Sequence, residues 1–328
     1  MNNLLAVKPT NEKLIKYKHV NWYIVKRCNY DCSYCSDAIH DNFSERPLLE
    51  KMKLGANNIF AHINPKDAYF DFSGGEPTIV PQFDEFIKWL KVDKEIGRVG
   101  FITNGTRKFH YYDRILDWAD HITISYHFEY ANDQILLDKI IKLHEKYGGK
   151  IRIQVMMNAH TFDRVVNVVN VLQEHNMFYS IRKIRTKEQT PGFDYLVCDY
   201  TDEMLAWLEK AEPKQSHKKK LGEALTEDGV EDVISGNLLV HKNLNKFKGW
   251  HCNAGIDYFH VWFDGTFYRA GCTVGGSLGN IYDKIVFPKE PVICTKEDCN
   301  CGPEILTRKV KDPKYNWFIE RNNNDSSN

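Results

Sequence analysis

The chain has 328 residues, enough for about two domains at roughly 150 residues each. Hydrophobic residues make up 42% and charged residues 27%, which excludes general disorder, a collagen-like repeat and a disulfide miniprotein. Lys+Arg and Asp+Glu both number 44, and a neutral chain offers no electrostatic footprint for nucleic acid or an anionic membrane.

The start, MNNLLAVKPTNEKLIKYK, holds one short apolar run, Leu4 to Val7, and no signal-peptide core. No window reaches the roughly 18 apolar residues of a membrane span. The expected compartment is therefore the cytoplasm, where thiols stay reduced. From Val20 to about Arg185 two periods alternate. β-rich runs are expected at Val20–Lys26, Ala68–Phe72, Val99–Thr103, His121–Tyr126, Lys150–Met157 and Phe178–Ile184. Helical stripes fall between them: Phe83, Phe86, Ile87 and Leu90; Leu136, Leu137, Ile140 and Ile141; Val165, Val168, Val169 and Leu172. Pro81 and Thr161 read as helix starts and Gly148-Gly149 as a stop. Such alternation predicts a parallel sheet with right-handed crossovers, open or curled into a partial barrel.

Beyond Thr186 the rhythm breaks. Thr201 to Glu212 reads as a helix, and PKQSHKKK at 213–220 as a solvated basic run. Around 258–268, two alternating runs flank Asp264-Gly265, a hairpin signal. The tail NNNDSSN at 322–328 has the composition of disorder.

Nine cysteines lie at 28, 32, 35, 198, 252, 272, 294, 299 and 301. An odd, clustered set in a reducing compartment points to metal ligation rather than disulfides. Cys28, Cys32 and Cys35 occupy CNYDCSYC, directly after the first expected strand. Three thiolates there suit a metal centre. A structural zinc wants a fourth ligand, whereas a [4Fe–4S] cluster would keep one iron open. Spacing alone leaves both readings standing.

CNYDCSYC resembles the CxxxCxxC signature of the radical S-adenosylmethionine (SAM) superfamily, with Tyr34 at its aromatic position. Asp71-Phe72-Ser73-Gly74-Gly75-Glu76-Pro77 resembles the family's GGEP motif. Thr103-Asn104-Gly105 and Ile124-Ser125-Tyr126-His127 end the next two strands. The resemblance implies a partial (β/α)6 barrel. It also implies a [4Fe–4S] cluster on Cys28, Cys32 and Cys35, and SAM bound near Tyr34, Gly74, Gly75, Glu76, Pro77, Asn104, Ser125 and Gln154. Reductive cleavage of SAM to methionine and a 5′-deoxyadenosyl radical, then hydrogen-atom abstraction, would follow, driven by an external donor such as a flavodoxin or ferredoxin.

The later cysteines resemble the family's SPASM/Twitch extension. They depart from its full pattern, with six residues rather than four between Gly265 and Cys272, and five cysteines rather than seven. That implies one auxiliary [4Fe–4S] cluster on Cys252, Cys272, Cys299 and Cys301, with Cys294 the spare that could exchange roles; a zinc ribbon is the competing reading. The expected division is an N-terminal extension over 1–19, the barrel over 20–185, a linking helical region over 186–249, a cluster domain with a β-hairpin over 250–310 and a tail over 311–328.

The expected activity is oxidation of a small molecule assisted by the auxiliary cluster. Epimerisation with Cys198 or the spare cysteine as hydrogen donor is one alternative, and modification of a ribosomal peptide another. The 27 residues before Cys28 are too few for a leader-peptide domain, which tilts the reading toward a small molecule. An iron–sulfur electron carrier has no use for a GGEP turn. Arg182, Lys183 and Arg185 are candidates to hold an anionic substrate group, and His127 and Glu129 candidates for acid–base work.

Overall fold

The protein is described by a computed structural model over residues 3–10, 15–184, 198–211, 221–233, 236–299 and 302–320. It divides into two compact units. One comprises Met1–Asn21, Leu54–Phe70 and Lys214–Asn328; the other comprises Trp22–Lys53 and Asp71–Pro213. Among the described residues no helix is long and apolar enough to cross a membrane.

The chain opens with β1 (Leu4–Pro9) and β2 (Lys18–Val25), then alternates. Helix α1 (Leu49–Phe60) leads to β3 (Ala68–Gly74), α2 (Phe83–Val92) to β4 (Arg98–Thr103), and α3 (Phe109–Ile115) to β5 (His121–Tyr126). Then α4 (Asp133–Tyr147) leads to β6 (Ile151–Met157), and α5 (Phe162–Glu174) to β7 (Tyr179–Lys183). Strand order from β2 to β7 follows the chain, and β4, β5, β6 and β7 pair in parallel. All six expected strands are present, as are the stripes on α2 and α5; α4 buries Leu136, Ile140 and Leu143, with the expected Leu137 and Ile141 only half-buried. Gly148 ends α4 and Thr161 is the N-cap of α5.

Alternation along the strands separates two faces. On β6, Ile151, Ile153, Val155 and Met157 are buried, whereas Arg152, Gln154 and Met156 are half-buried. The buried face builds the unit's core: Trp22, Phe72, Phe83, Phe86 and Phe101 meet edge to face or tilted, and all are fully buried. On the opposite face the His121 ring lies against Gly100 and reaches Asp71, Nε2 to Oδ1 3.7 Å. A Cβ at Gly100 would stand 2.0 Å from that ring, so glycine on β4 makes the approach possible.

After α6 (Asp202–Ala211) the chain forms β8 (Gly222–Thr226) and β9 (Gly229–Val233), an antiparallel hairpin. Next come α7 (Gly236–His241), β10 (His251–Cys252), β11 (Tyr258–Val261), β12 (Thr266–Tyr268), β13 (Ser277–Asn280), β14 (Val292–Ile293), α8 (Gly302–Ile305), β15 (Lys309–Val310) and α9 (Asn316–Glu320). The first unit holds a sheet of order β14-β10-β15-β1-β8-β9. Its paired strands run antiparallel. The stretch expected as a linking helical region thus also contributes the β8–β9 hairpin. The hairpin expected at Asp264-Gly265 forms between β11 and β12, with Gly265 at φ 86° in the turn.

Candidate active site

Cys28, Cys32 and Cys35 lie on the loop that leaves β2. The Cys28 amide donates to Asp41 O at 2.7 Å, which folds the loop back on itself. Burial pushes all three thiols up, Cys32 to about 12 and Cys35 to about 11, and the charge of Cys28 raises both Cys32 and Cys35 further. Holding all three as thiolates calls for a cationic centre between them.

Four contacts from the segment after β5 clamp this loop. Tyr34 donates its hydroxyl to His127 Nδ1 at 2.7 Å, with the rings stacked. Burial lowers His127 to about 4, so its imidazole is neutral and can accept. The Ser33 amide donates to Glu129 Oε2 at 2.8 Å. Tyr30 stacks on Tyr130, whose hydroxyl donates to Asp31 O at 2.8 Å. His127 and Glu129, the candidates for acid–base work, are placed where they also shape the cysteine loop. Asn29 and Ser33 sit at the variable positions inside CNYDCSYC, whereas Tyr130 carries no motif signal and joins the site only through the fold.

The Gly74–Pro77 turn sits against the same loop. Gly75 N donates to Val25 O at 2.7 Å and Glu76 N to Arg27 O at 3.0 Å. A Cβ on Gly75 would stand 2.2 Å from Arg27 O and 2.4 Å from Lys26 O. The missing side chains thus let two backbone segments of the chain itself meet, besides any approach to a ligand.

Glu76 is fully buried and accepts four hydrogen bonds: from Thr78 N, Thr78 Oγ1 and Thr103 Oγ1 at Oε1, and from Asn104 N at Oε2. Burial raises its carboxyl, and these four donors pull the other way. The Asn104 side chain then donates its Nδ2 to Asn29 Oδ1 at 2.9 Å and to Cys28 Sγ at 3.8 Å. One carboxylate therefore ties the ends of β3 and β4 to the first cysteine.

Ser125 is buried near the end of β5, in register with the half-buried Gln154, which is in register with Ser180. Cys198 is buried in one apolar cluster with Cys32, Tyr34 and Ile184. Arg182 is exposed, and Lys183 lies 5.7 Å from the Tyr200 ring. Arg185 lies outside the described residues.

In the other unit, the β11–β12 hairpin packs Cys252 and Cys272 into one cluster with Tyr258, Ala270 and Val274. The Cys294 amide donates to Trp250 O at 2.8 Å, and Cys299 N to Asn245 O at 2.9 Å. Cys252 and Cys272 each feel the charge of Cys294, and Cys299 feels both of them. Burial pushes Cys272 to about 11 and Cys299 to about 12. Among the described residues no three His, Cys, Asp or Glu side chains are placed to share a single metal ion. Cys301 lies outside the described residues.

A parallel α/β sheet with three thiols where its first strand ends and a glycine turn where its second ends defines an enzyme that binds its cofactors at strand ends. The model of the Radical SAM superfamily matches residues 22–186, and the chain belongs to that superfamily, as a radical SAM enzyme whose cofactors are a [4Fe–4S] cluster and SAM. A curated relative, the S-adenosylmethionine-dependent nucleotide dehydratase RSAD2 of Siniperca chuatsi, is 25% identical over 164 residues. That match spans 44% of this chain and 44% of the relative, less than half of its length. Among solved structures, native anSMEcpe with bound AdoMet aligns at TM-score 0.54 and 18% identity, covering 81% of this chain and 79% of that one. Streptococcus suis SuiB bound to precursor peptide SuiA aligns at TM-score 0.55 and 13% identity, covering 94% of this chain and 68% of that one. These two likenesses concern the fold.

Proposed function

We propose that Cys28, Cys32 and Cys35 hold the SAM-binding cluster, and that the chain uses the resulting radical to oxidise a polar small molecule with help from an auxiliary [4Fe–4S] cluster. The reading rests above all on the wiring of Cys28 through Asn104 and Glu76 to the Gly74–Pro77 turn. Bound together, cluster and SAM supply reductive carbon–sulfur cleavage and a radical able to abstract hydrogen. The protein's part is to fix the three thiols, shield them among Tyr30, Tyr34 and Tyr130, and present Asn104, Ser125 and Gln154 at the strand ends.

The auxiliary centre falls to Cys252 and Cys272 with thiols drawn from Cys294, Cys299 and Cys301. A four-iron cube places its cysteines on separate irons and so wants wider spacing than one zinc ion. The substrate-side argument is the face shared by Arg152, Gln154, Ser180 and Arg182, whose polar and cationic groups suit a polar, anionic molecule. A relative named for action on a nucleotide is consistent with that class.

Anaerobically reconstituted protein with dithionite and SAM tests the proposal. The native chain should release 5′-deoxyadenosine, and Cys32→Ala should release none. Cys252→Ala should still cleave SAM yet turn over no substrate. Cleavage by Cys32→Ala would remove the ligand assignment. Turnover of a precursor peptide, with nucleotides and sugars ignored, would reassign the substrate class.

A further inference from the structure

Lys309 is a buried cation facing the thiols of the first unit. It lies on β15, in direct antiparallel register with Cys252 on β10. Directly paired residues share a face of their sheet. Lys309 is 1% exposed and Cys252 6%. All three ammonium protons are used, on Glu304 O at 2.6 Å, Thr307 O at 2.9 Å and Ile305 O at 3.0 Å. The ammonium also lies 5.2 Å from the Phe247 ring, and Phe247 shares a core cluster with Cys294 and Cys299.

The charge is therefore fixed in place, held by carbonyl dipoles that carry no formal negative charge. Glu304 offers Lys309 its carbonyl, while its buried carboxylate accepts from Gly271 N at Oε1 at 2.6 Å; that carboxylate opposes Lys309 at Cys252 and Cys299, where the lysine's effect is the larger. A buried ion is expensive, and an apolar side chain of similar size commonly packs as well. Such a cation makes sense opposite a concentrated negative charge, and four thiolates on a cube are one.

We infer that Lys309 is a built-in counter-charge for the centre held by Cys252 and its neighbouring thiols, and that it raises that centre's reduction potential. The inference rests on the auxiliary cluster proposed above. Reduction adds one electron to the centre and breaks no bond, and a positive charge nearby stabilises the added electron. Lys309 acts here as a positioning charge; it touches no substrate.

The test uses the full chain with Cys28, Cys32 and Cys35 all changed to Ala, so that one centre remains visible. Iron and sulfide content come first: if they show no cube, the proposed auxiliary cluster itself falls, whatever Lys309 does. If a cube is present, dithionite titration followed by electron paramagnetic resonance compares Lys309 with Lys309→Met and Lys309→Gln. Both neutral variants should make reduction at least tenfold less favourable, about 59 mV for a one-electron couple. Unchanged potentials overturn the inference. Should neither neutral variant assemble the cube, Lys309→Arg decides. Assembly with arginine supports the counter-charge, and failure with arginine as well makes Lys309 a packing strut and overturns it.

Discussion

Glu76 shows how a residue read as part of a ligand pocket can also be wired into the protein. With four donors converging on it, its carboxylate leaves little for SAM and much for the alignment of strand ends. Glu76→Gln replaces one acceptor oxygen with a donor and faces it toward donors, a mismatch of about 1–3 kcal/mol. The expected outcome is a chain that folds with a lower melting temperature, retains less iron and releases several-fold less 5′-deoxyadenosine. Full iron content and full cleavage would show the network to be dispensable. The four-residue motif was legible in the sequence. Thr103 stands out only as a strand end, and Thr78 looks like any other threonine until the fold sets both on Glu76.

At the scale of elements, the turn after β3 and the segment after β2 are built to touch backbone to backbone. Gly75→Ala would drive a Cβ into the carbonyls of Lys26 and Arg27, which are held by the backbone and cannot rotate away as a side chain would. The cysteine loop begins one residue later, so the strain should appear as lost iron and lost SAM cleavage. Gly149→Ala is the control, since nothing lies within 4 Å of its Cβ position, and it should leave both unchanged. Equal iron content in the two variants would refute the close-approach argument. The six strands from β2 to β7 were legible because they are local apolar runs separated by helical stripes. β1 was not, because LLAVKP is short and finds its partners far away, Ala6 beside Leu225 and Val310. The β8–β9 hairpin did carry a signal, Asp228-Gly229 at its turn, with Gly229 at φ 127°.

For the molecule as a whole, acid should weaken the fold through two buried histidines, one in each unit. Burial lowers both His127 and His260 to about 4 from the ordinary 6.5. Above about 6.5 both are neutral folded or unfolded, and their contribution is fully present. As pH falls from about 6.5 toward 4, the unfolded chain takes up protons that the folded chain refuses. Stability is then lost at up to ~1.4 kcal/mol per pH unit for each histidine. Glu76, raised by burial, pulls the other way, so the comparison should be made by substitution. The melting temperature should drop between pH 7.5 and 5, and less so in His260→Gln. An identical drop in the variant would clear His260 of the effect.

The pairing of β1 with β15 has a bearing on the order in which the sheet assembles. β1 finds one of its flanking strands, Lys309–Val310, far along the chain, with Ala6 paired to Val310 and Val7 to Lys309. Cys252 waits for the same strand, because Lys309 is its cross-strand neighbour. That sheet can close only once β15 is in place, so the surroundings of Cys252 depend on contacts of long sequence separation, which form slowly in folding.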